Sequence, residues 1–340
     1  MPEEKPSSIS RRGFIQRAQA AVLAAGTASA AAAETPAPQS DQPLSRRVLG
    51  RTKLEVTCMT LGTAPCGMSM EISPAQVGQI VNQALDLGVN YVDTAPGYGN
   101  AEEGIGSVLG KRRKDIILAT KLYTDDLATA EKMFSGSLKD LKTDYVDLLY
   151  FHQLGDRQPE KARDPDGVFT YILKQKKAGK CRFVGVTAHN RPGRMVPFLE
   201  AGNIDVIMIP INFVDDFTYG FERDVLPVAR KHNMGIVAMK VYGGPKPAKT
   251  RRWQNPNAKP HVGEKYLESA VRYALSTPDV ATANLGVHKV EQVRQNVKFA
   301  AGFKPLSDAE RKELAELGRK WAVKWGPHYG PVAETKKKDA

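Results

Sequence analysis

The sequence predicts an α/β fold, a single (β/α)8 TIM barrel with an N-terminal β-hairpin and a C-terminal helix. Short apolar runs alternate with longer amphipathic segments eight times between residues 46 and 300. Several of the runs end at a polar residue followed by a loop, which is typical of the carboxyl ends of parallel strands. A doubly wound sheet is the alternative, and it is disfavoured because no glycine-rich phosphate fingerprint follows the first strand.

The elements are expected in barrel order. A hairpin over residues 48–56 comes first. The first helix is signalled by Ser73 as N-cap and Pro74 at the first helical position. The eight strands are expected at residues 59–62, at a run ending at Asp93, and at 116–120, 146–151, 182–186, 206–211, 235–239 and 281–285. The helices are expected at 74–87, 101–109, 127–141, 166–178, 191–201, 222–233, 264–276 and 290–300, with a last helix over 307–324.

Polar side chains close three successive strands. Asp93 ends the second strand, Lys121 the third and His152 the fourth, while Tyr98 lies in the Pro/Gly turn just after Asp93. The carboxyl ends of parallel strands meet at one face of a barrel, where barrel enzymes carry their chemistry. On these four residues, and on the segment VDTAPGYG that contains Asp93 and Tyr98, the chain resembles the aldo/keto reductase family.

This resemblance implies a catalytic tetrad. The family passes hydride between a nicotinamide and a carbonyl carbon, with a tyrosine as general acid or base. By analogy Tyr98 takes that role, Lys121 lowers its pKa, Asp93 holds Lys121, and His152 orients the carbonyl by a hydrogen bond. The implied activity is that of an NAD(P)-dependent oxidoreductase acting on an aldehyde, ketone or sugar.

The resemblance also implies a dinucleotide site. After the fifth strand, Thr187 with His189 or Asn190 is expected to hold the nicotinamide amide. After the eighth strand, a glycine leads into a helix N-terminus suited to phosphate, and a polar face of that helix suits adenine; the residues are Gly286, His288, Gln292 and Asn296. NADP is the expected cofactor, with NAD as the alternative because His288 stands where NADP-preferring members carry a basic residue.

The sixth strand departs from the family pattern. Met208 replaces a glutamine, and Ile211 replaces a tyrosine that stacks on the nicotinamide. Met208 is therefore expected against the cofactor without an amide contact. Phe213 or Tyr242 is expected to supply the missing aromatic platform.

Composition narrows the classes of function. The formal net charge is +12, which favours attraction of anionic phosphates, and no nucleic-acid-binding motif accompanies it. The three cysteines are too few and too scattered for a disulfide framework or a metal cluster, so no metal site is expected. No stable membrane insertion is expected, because the long apolar stretch near the N-terminus is mostly alanine.

The N-terminal segment resembles a twin-arginine (Tat) export signal. Arg11 and Arg12 precede Phe14 and Ile15, and an alanine-rich stretch follows. We expect a signal peptide over 1–33, a linker over 34–45, the barrel over 46–326 and a basic tail over 327–340. The partners are then the Tat machinery and a small carbonyl or sugar substrate, and the location is periplasmic or extracytoplasmic.

Two other functions stay open at this stage. One is a cofactor-binding regulatory or non-catalytic barrel subunit. The other is an internal-redox enzyme whose dinucleotide does not exchange, which would suit a compartment without a nucleotide pool.

Overall fold

The computed structural model describes residues 42–246 and 254–334 and confirms the predicted barrel. A hairpin of β1 (Arg46–Val48) and β2 (Glu55–Thr57) comes first. The barrel strands are β3 (Met59–Gly62), β4 (Tyr91–Asp93), β5 (Ile117–Leu122), β6 (Val146–Phe151), β7 (Cys181–Thr187), β8 (Val206–Pro210), β9 (Gly235–Met239) and β10 (Val280–Gly286). All neighbouring barrel strands pair in parallel, and β10 pairs with both β3 and β9 to close the ring.

Helices follow the strands around the outside. They are α1 (Ala64–Met68), α2 (Pro74–Asp86), α3 (Ala101–Arg112), α4 (Leu127–Asp140), α5 (Pro159–Ala162), α6 (Val168–Lys177), α7 (Pro192–Glu200), α8 (Asp216–Tyr219), α9 (Phe221–Asp224), α10 (Leu226–Lys231), α11 (Leu267–Ser276), α12 (Val290–Ala301) and α13 (Asp308–Trp325). Ser73 caps α2 in a capping box with Gln76, and Ser307 caps α13 in the same way with Glu310.

The hairpin closes the amino-terminal end of the barrel. Leu49, Leu54 and Val56 pack beneath the barrel interior, in one apolar cluster with inward side chains of the strands. Within that interior the hydroxyls of Tyr91 and Tyr150 share a hydrogen bond of 2.8 Å. Because this end is filled, a ligand can reach the barrel axis only from the carboxyl ends of the strands.

The helix expected over 222–233 is interrupted. The structure has two short helices there, α9 and α10, instead of one. Just before this range, Gly220 separates α8 from α9 in a left-handed conformation, with φ of +68°. Pro227 in the first turn of α10 lacks the N–H that a continuous helix would need, so the chain restarts at Leu226.

The described residues contain no helix long and apolar enough to cross a membrane. Residues 1–41 and 335–340 lie outside the described residues, and with them the expected Tat signal and most of the linker. Residues 327–334 are described; they pack on the barrel face rather than extending from it, as shown below.

The half-buried side chain of Glu222 is expected to make the stability of the protein depend on pH. Burial raises its pKa to about 8, and the nearby Asp216 charge acts in the same direction, although Tyr273 donates a hydrogen bond of 3.0 Å. The unfolded chain releases this proton near 4.5, so the folded state holds more protons between pH 4.5 and 8 and loses stability as pH rises through that window. We expect Glu222→Gln to remove up to about 1.4 kcal/mol per pH unit of this loss.

Urea unfolding at pH 5 and pH 8 measures the effect. The Glu222→Gln variant should gain stability relative to wild type at pH 8 and little at pH 5. Glu313→Gln, at an exposed position on α13, is the matched control. An equal change at both pH values would contradict the assignment.

Candidate active site

A sharp turn between β4 and α3 positions Tyr98. Gly99 adopts φ of +53°, and a Cβ there would lie 2.4 Å from the carbonyl oxygen of Gly67 in α1. The N–H of Asn100 donates to that same oxygen at 2.9 Å. Only glycine fits this close approach, so the turn is fixed against α1 and the tyrosine ring is directed over the barrel.

Asp93 and Lys121 form an ion pair buried at the ends of neighbouring strands. Lys121 Nζ lies 2.6 Å from Asp93 Oδ1 and also donates to the Thr94 carbonyl at 2.7 Å. Burial acts to lower the pKa of Lys121, but the negative charges of Asp93 and ionised Tyr98 outweigh it and the pKa is raised. Lys121 is therefore a permanent cation at neutral pH.

Tyr98 lies against this cation. Lys121 Nζ is 5.0 Å from the centre of the Tyr98 ring. Burial raises the pKa of Tyr98; the charge of Lys121 and a hydrogen bond from it oppose that rise without cancelling it. Lys121 therefore lowers the phenol's pKa, as expected, but desolvation is the larger effect and the net pKa is raised. Tyr98 is a protonated phenol at neutral pH, as a proton donor must be.

His152 completes the group as a neutral imidazole. Burial lowers its pKa well below the usual 6.5, and the positive charges of Lys121, Lys240 and Arg157 lower it further. Its ring packs edge-on against Tyr98, with ring centres 6.1 Å apart. Its Nδ1 has no hydrogen-bond partner among the described residues, so packing holds the ring in place. The four residues expected to form the tetrad thus meet at one end of a cavity.

Asn284 on β10 supports the tetrad and was not predicted. Its Nδ2 donates to Asp93 Oδ2 at 2.9 Å, so both carboxylate oxygens of Asp93 are occupied, one by Lys121 and one by Asn284. The only sequence signal was a polar residue at a strand position that apolar residues usually fill.

Of the three residues after β7 that were expected to bind the nicotinamide, two line the cavity and one does not. Thr187 and His189 line the cavity, whereas Asn190 does not. Asn190 Nδ2 donates to Asp156 at 3.0 Å and to the carbonyl of Tyr329 at 2.9 Å, so its role is to hold two segments of the barrel face together. Thr187 Oγ1 accepts from the backbone N–H of Gln153 at 2.9 Å.

The cavity has a volume of about 530 Å³ and extends from the tetrad to the N-terminus of α12. Gly286, His288, Gln292 and Asn296 line its far end, as expected for the adenosine site. The side-chain oxygen of Gln292 caps the helix by accepting from His288 N at 2.7 Å, and that of Asn296 accepts from the Tyr242 hydroxyl at 2.7 Å. Because the side-chain oxygens of Gln292 and Asn296 both accept hydrogen bonds from the protein, their amide NH2 groups are the donors left to bind a ligand.

These residues fit a dinucleotide. Two amide donors one helical turn apart suit the acceptor nitrogens of adenine, and the N-terminus of a 12-residue helix suits phosphate. Residues 254–262, which we call the cover segment, lie across the same end of the cavity. Lys289 Nζ donates to the side-chain oxygen of Asn257 in this segment at 3.3 Å, and Pro260 in this segment pairs with Pro245 in a β-bridge. The cover segment therefore borders the cavity. Residues 247–253, which hold Lys249, Arg251 and Arg252, lie outside the described residues.

The region expected to contact the ring of the cofactor is aliphatic. Met208 and Met239 line the cavity, and Ile211 is buried elsewhere. Phe213 packs against Trp321 with ring centres 5.9 Å apart and does not line the cavity. Tyr242 does line it, but its hydroxyl is held by Asn296.

The segment 326–334 packs on the barrel face next to two residues that line the cavity, His189 and Lys240. The N–H of Tyr329 donates to the Tyr219 hydroxyl at 2.7 Å, and Arg194 forms a two-point ion pair with Glu334. The Tyr329 ring lies 6.0 Å from that of His189. Residues expected to be a basic tail therefore pack on the barrel face beside the cavity.

Comparison with known proteins gives a consistent result. The sequence profile of the Aldo/keto reductase family matches residues 58–319. The chain is 29% identical to the uncharacterized oxidoreductase YqkF of Bacillus subtilis, over 80% of this chain and 95% of that protein. It is 27% identical to L-galactose dehydrogenase of Arabidopsis thaliana, over 80% and 92%. The structure of the aldo-keto reductase AKR11C1 from Bacillus halodurans, in its holo form, superposes with a TM-score of 0.65 at 25% identity, over 81% of this chain and 96% of that one.

Proposed function

The chain belongs to the aldo/keto reductase family and is an NAD(P)-dependent oxidoreductase; from this premise we propose that it reduces a carbonyl compound with NADPH, with Tyr98 as the proton donor. The observation that carries the proposal is the convergence of Tyr98, Lys121 and His152 at one end of a cavity whose other end fits a nucleotide.

Each residue of the tetrad has a separate role in the reduction of the carbonyl group. The bound nicotinamide supplies or accepts hydride. Negative charge then develops on the carbonyl oxygen, and Tyr98 gives it the phenolic proton. Lys121 stabilises the phenolate that remains, because a cation beside it lowers the cost of ionisation. His152, neutral at pH 7, orients the carbonyl by a hydrogen bond, and Asp93 with Asn284 holds Lys121 in place.

Nucleotide oxidation tests this function. Purified protein is mixed with NADPH and a set of aldehydes, and absorbance at 340 nm is followed. Aldehyde-dependent consumption of NADPH supports the proposal. If no aldehyde, ketone or sugar drives turnover while the nucleotide still binds, a regulatory or non-catalytic barrel subunit becomes the better interpretation.

Internal redox on a retained dinucleotide is the second candidate. The cover segment favours it, because its contact with Lys289 lies across the nucleotide end of the cavity. Mass spectrometry of molecules released on denaturing dialysed protein tests this candidate. Retained NADP or NAD supports it, and protein isolated without nucleotide contradicts it.

Export is a further part of the proposal. Arg11 and Arg12, followed by an apolar and alanine-rich stretch, support a Tat signal over residues 1–33 and a periplasmic location. Replacing both arginines by lysine is expected to retain the protein in the cytoplasm. Cell fractionation of tagged wild type and the Arg11→Lys/Arg12→Lys variant measures this, and equal distribution of the two would exclude Tat export.

A further inference from the structure

A buried carboxylate lies beside the strand that carries Lys121. Glu102, in the first turn of α3, is 4% exposed and is not among the described residues that line the cavity. Its two oxygens accept hydrogen bonds from hydroxyls: Thr120 Oγ1 donates to Oε1 at 2.6 Å, and Ser137 Oγ donates to Oε2 at 3.0 Å. Burial raises the pKa of Glu102, while the two hydroxyl donors and the charge of Lys121 act to lower it. A carboxylate in such a position is costly to bury, and its two bonds indicate what it holds together.

One of these bonds reaches the strand position next to Lys121. Thr120 directly precedes Lys121 in β5, and both residues are buried. Because side chains alternate along a strand, Lys121 is directed to the cavity at the barrel axis and Thr120 to the surrounding helices. The hydrogen bond from Thr120 to Glu102 therefore attaches the first turn of α3 to β5, one residue away from the lysine of the tetrad.

The same turn of α3 holds the backbone of Tyr98. The N–H of Ala101, the first residue of α3, donates to the Tyr98 carbonyl at 3.1 Å, and the N–H of Tyr98 donates to the Ala95 carbonyl at 2.9 Å. A Cβ at Gly67 would lie 2.2 Å from the Tyr98 carbonyl oxygen, so α1 packs tightly against the turn from another side. The start of α3 thus sets the position of Tyr98, and Glu102 sets the position of that start relative to β5.

The bond to Ser137 joins Glu102 to a different element. Ser137 belongs to α4, which carries no residue of the tetrad. The helices α3 and α4 also approach closely at Gly106, where a Cβ would lie 2.0 Å from the Asp140 carbonyl oxygen. One oxygen of the carboxylate is therefore bonded to the strand of a catalytic residue, and the other to a helix that packs on α3 in any case. This difference allows a positioning role to be separated from a packing role.

We propose that Glu102 is a positioning residue for the reduction. Through Thr120 it fixes the start of α3 on β5, and so holds the phenol of Tyr98 at its working distance from the ammonium group of Lys121. The proposal rests on the proposed reductase function. Lys121 Nζ lies 5.0 Å from the centre of the Tyr98 ring, and a displacement of reacting groups by about 1 Å can lower a rate by about 100-fold. Loss of the bond should therefore slow the chemical step more than it weakens binding.

Two variants that act on the same carboxylate test the proposal. Thr120→Val and Ser137→Ala each leave one oxygen of Glu102 without its donor, so both should lower the urea midpoint of unfolding by similar amounts. We measure kcat with saturating NADPH and the aldehyde of the set above that wild type reduces fastest. In Thr120→Val it should fall about 10- to 100-fold, while the Kd for NADPH from fluorescence titration changes little. Ser137→Ala should keep most of the wild-type kcat.

Conservative variants provide the rescue. Thr120→Ser keeps the hydroxyl and should keep most of the wild-type kcat. Glu102→Gln should do the same, because an amide can accept a hydrogen bond from Thr120 and donate one to Ser137. Glu102→Ala loses both bonds, and its kcat should fall at least as far as that of Thr120→Val.

The pH profile of the reverse reaction gives a readout that a packing defect would not change. The corresponding alcohol is oxidised with saturating NADP⁺, and Tyr98 as phenolate is then the base. The titratable groups that face Tyr98 are Lys121, Asp93 and the neutral His152, and all three remain in the variants. Moving the phenol away from Lys121 raises its pKa, because the cation stabilises the phenolate less. The apparent pKa of kcat/KM should therefore rise in Thr120→Val and stay at the wild-type value in the serine variant of α4.

The outcomes separate the two proposals. If wild type reduces no carbonyl compound of the set, the reductase function fails, and the role of Glu102 in it fails as well. If wild type is active and Thr120→Val loses no more kcat than Ser137→Ala, the reductase function stands and the positioning role is overturned. Equal losses of kcat in Glu102→Gln and Glu102→Ala would also overturn it, because the charge of the carboxylate, and not its hydrogen bonds, would then be responsible.

Discussion

Replacing Tyr98 by phenylalanine should lower the rate of carbonyl reduction by about 10²- to 10⁴-fold, the usual contribution of a general acid. The phenyl ring keeps its packing against His152, and only the hydroxyl group, with the proton that it donates, is lost. NADPH binding should be nearly unchanged, because the residues that fit the nucleotide lie at the other end of the cavity. Steady-state kinetics and nucleotide fluorescence titration measure the two quantities on the same preparation.

Tyr123→Phe is the matched control for this loss. Tyr123 also packs against the His152 ring, with ring centres 5.5 Å apart, but it is 46% exposed. The Tyr123→Phe variant should retain most of the wild-type activity. Turnover by Tyr98→Phe at a rate close to wild type would remove Tyr98 from the mechanism, and equal losses in both variants would indicate a packing defect.

Replacing Lys121 by methionine should cost both activity and stability. Asp93 and Lys121 are almost completely buried, and the variant leaves the carboxylate without its cation. Breaking a buried pair from one side destabilises a protein by about 3–5 kcal/mol. Turnover should also be lost, because Tyr98 then has no cation to stabilise its phenolate. Urea unfolding and steady-state kinetics measure the two effects.

The double variant Asp93→Asn/Lys121→Met separates the loss of activity from the loss of stability. Removing both charges should restore much of the stability while activity stays lost, since no uncompensated charge remains in the core. Lys231→Met removes a lysine from an exposed pair with Glu200, 3.0 Å apart, and should barely change stability. A Lys121→Met variant as stable as wild type would show that the pair is not the buried contact described above.

The barrel and the tetrad were predictable because both follow local patterns. Strand ends are marked by an apolar run that stops at a polar residue, and topology brings those ends together. This rule singled out Asp93, Lys121 and His152, and the resemblance to the aldo/keto reductase family gave them their expected catalytic roles. Tyr98 needed one addition, the Pro/Gly turn that follows Asp93.

Other features depend on competing local and long-range contacts. The break before Pro227 interrupted a helix that was predicted from periodicity, because proline lacks the N–H that a continuous helix needs. Asn190 and Phe213 have suitable chemistry for the cofactor, but Asn190 is used by Tyr329 and Phe213 by Trp321, partners more than 100 residues away. The net pKa of Tyr98 required a measure of burial, which residue spacing does not supply.

The cover segment has a kinetic consequence. A nucleotide that enters or leaves the cavity must pass a strip of chain fastened to α12 by Lys289 and to Pro245 at its base. Detaching that strip is a separate step from hydride transfer, and such steps limit the turnover of many enzymes. We therefore expect the residence time of the nucleotide to depend on these few surface contacts, which can vary while the reaction centre stays the same.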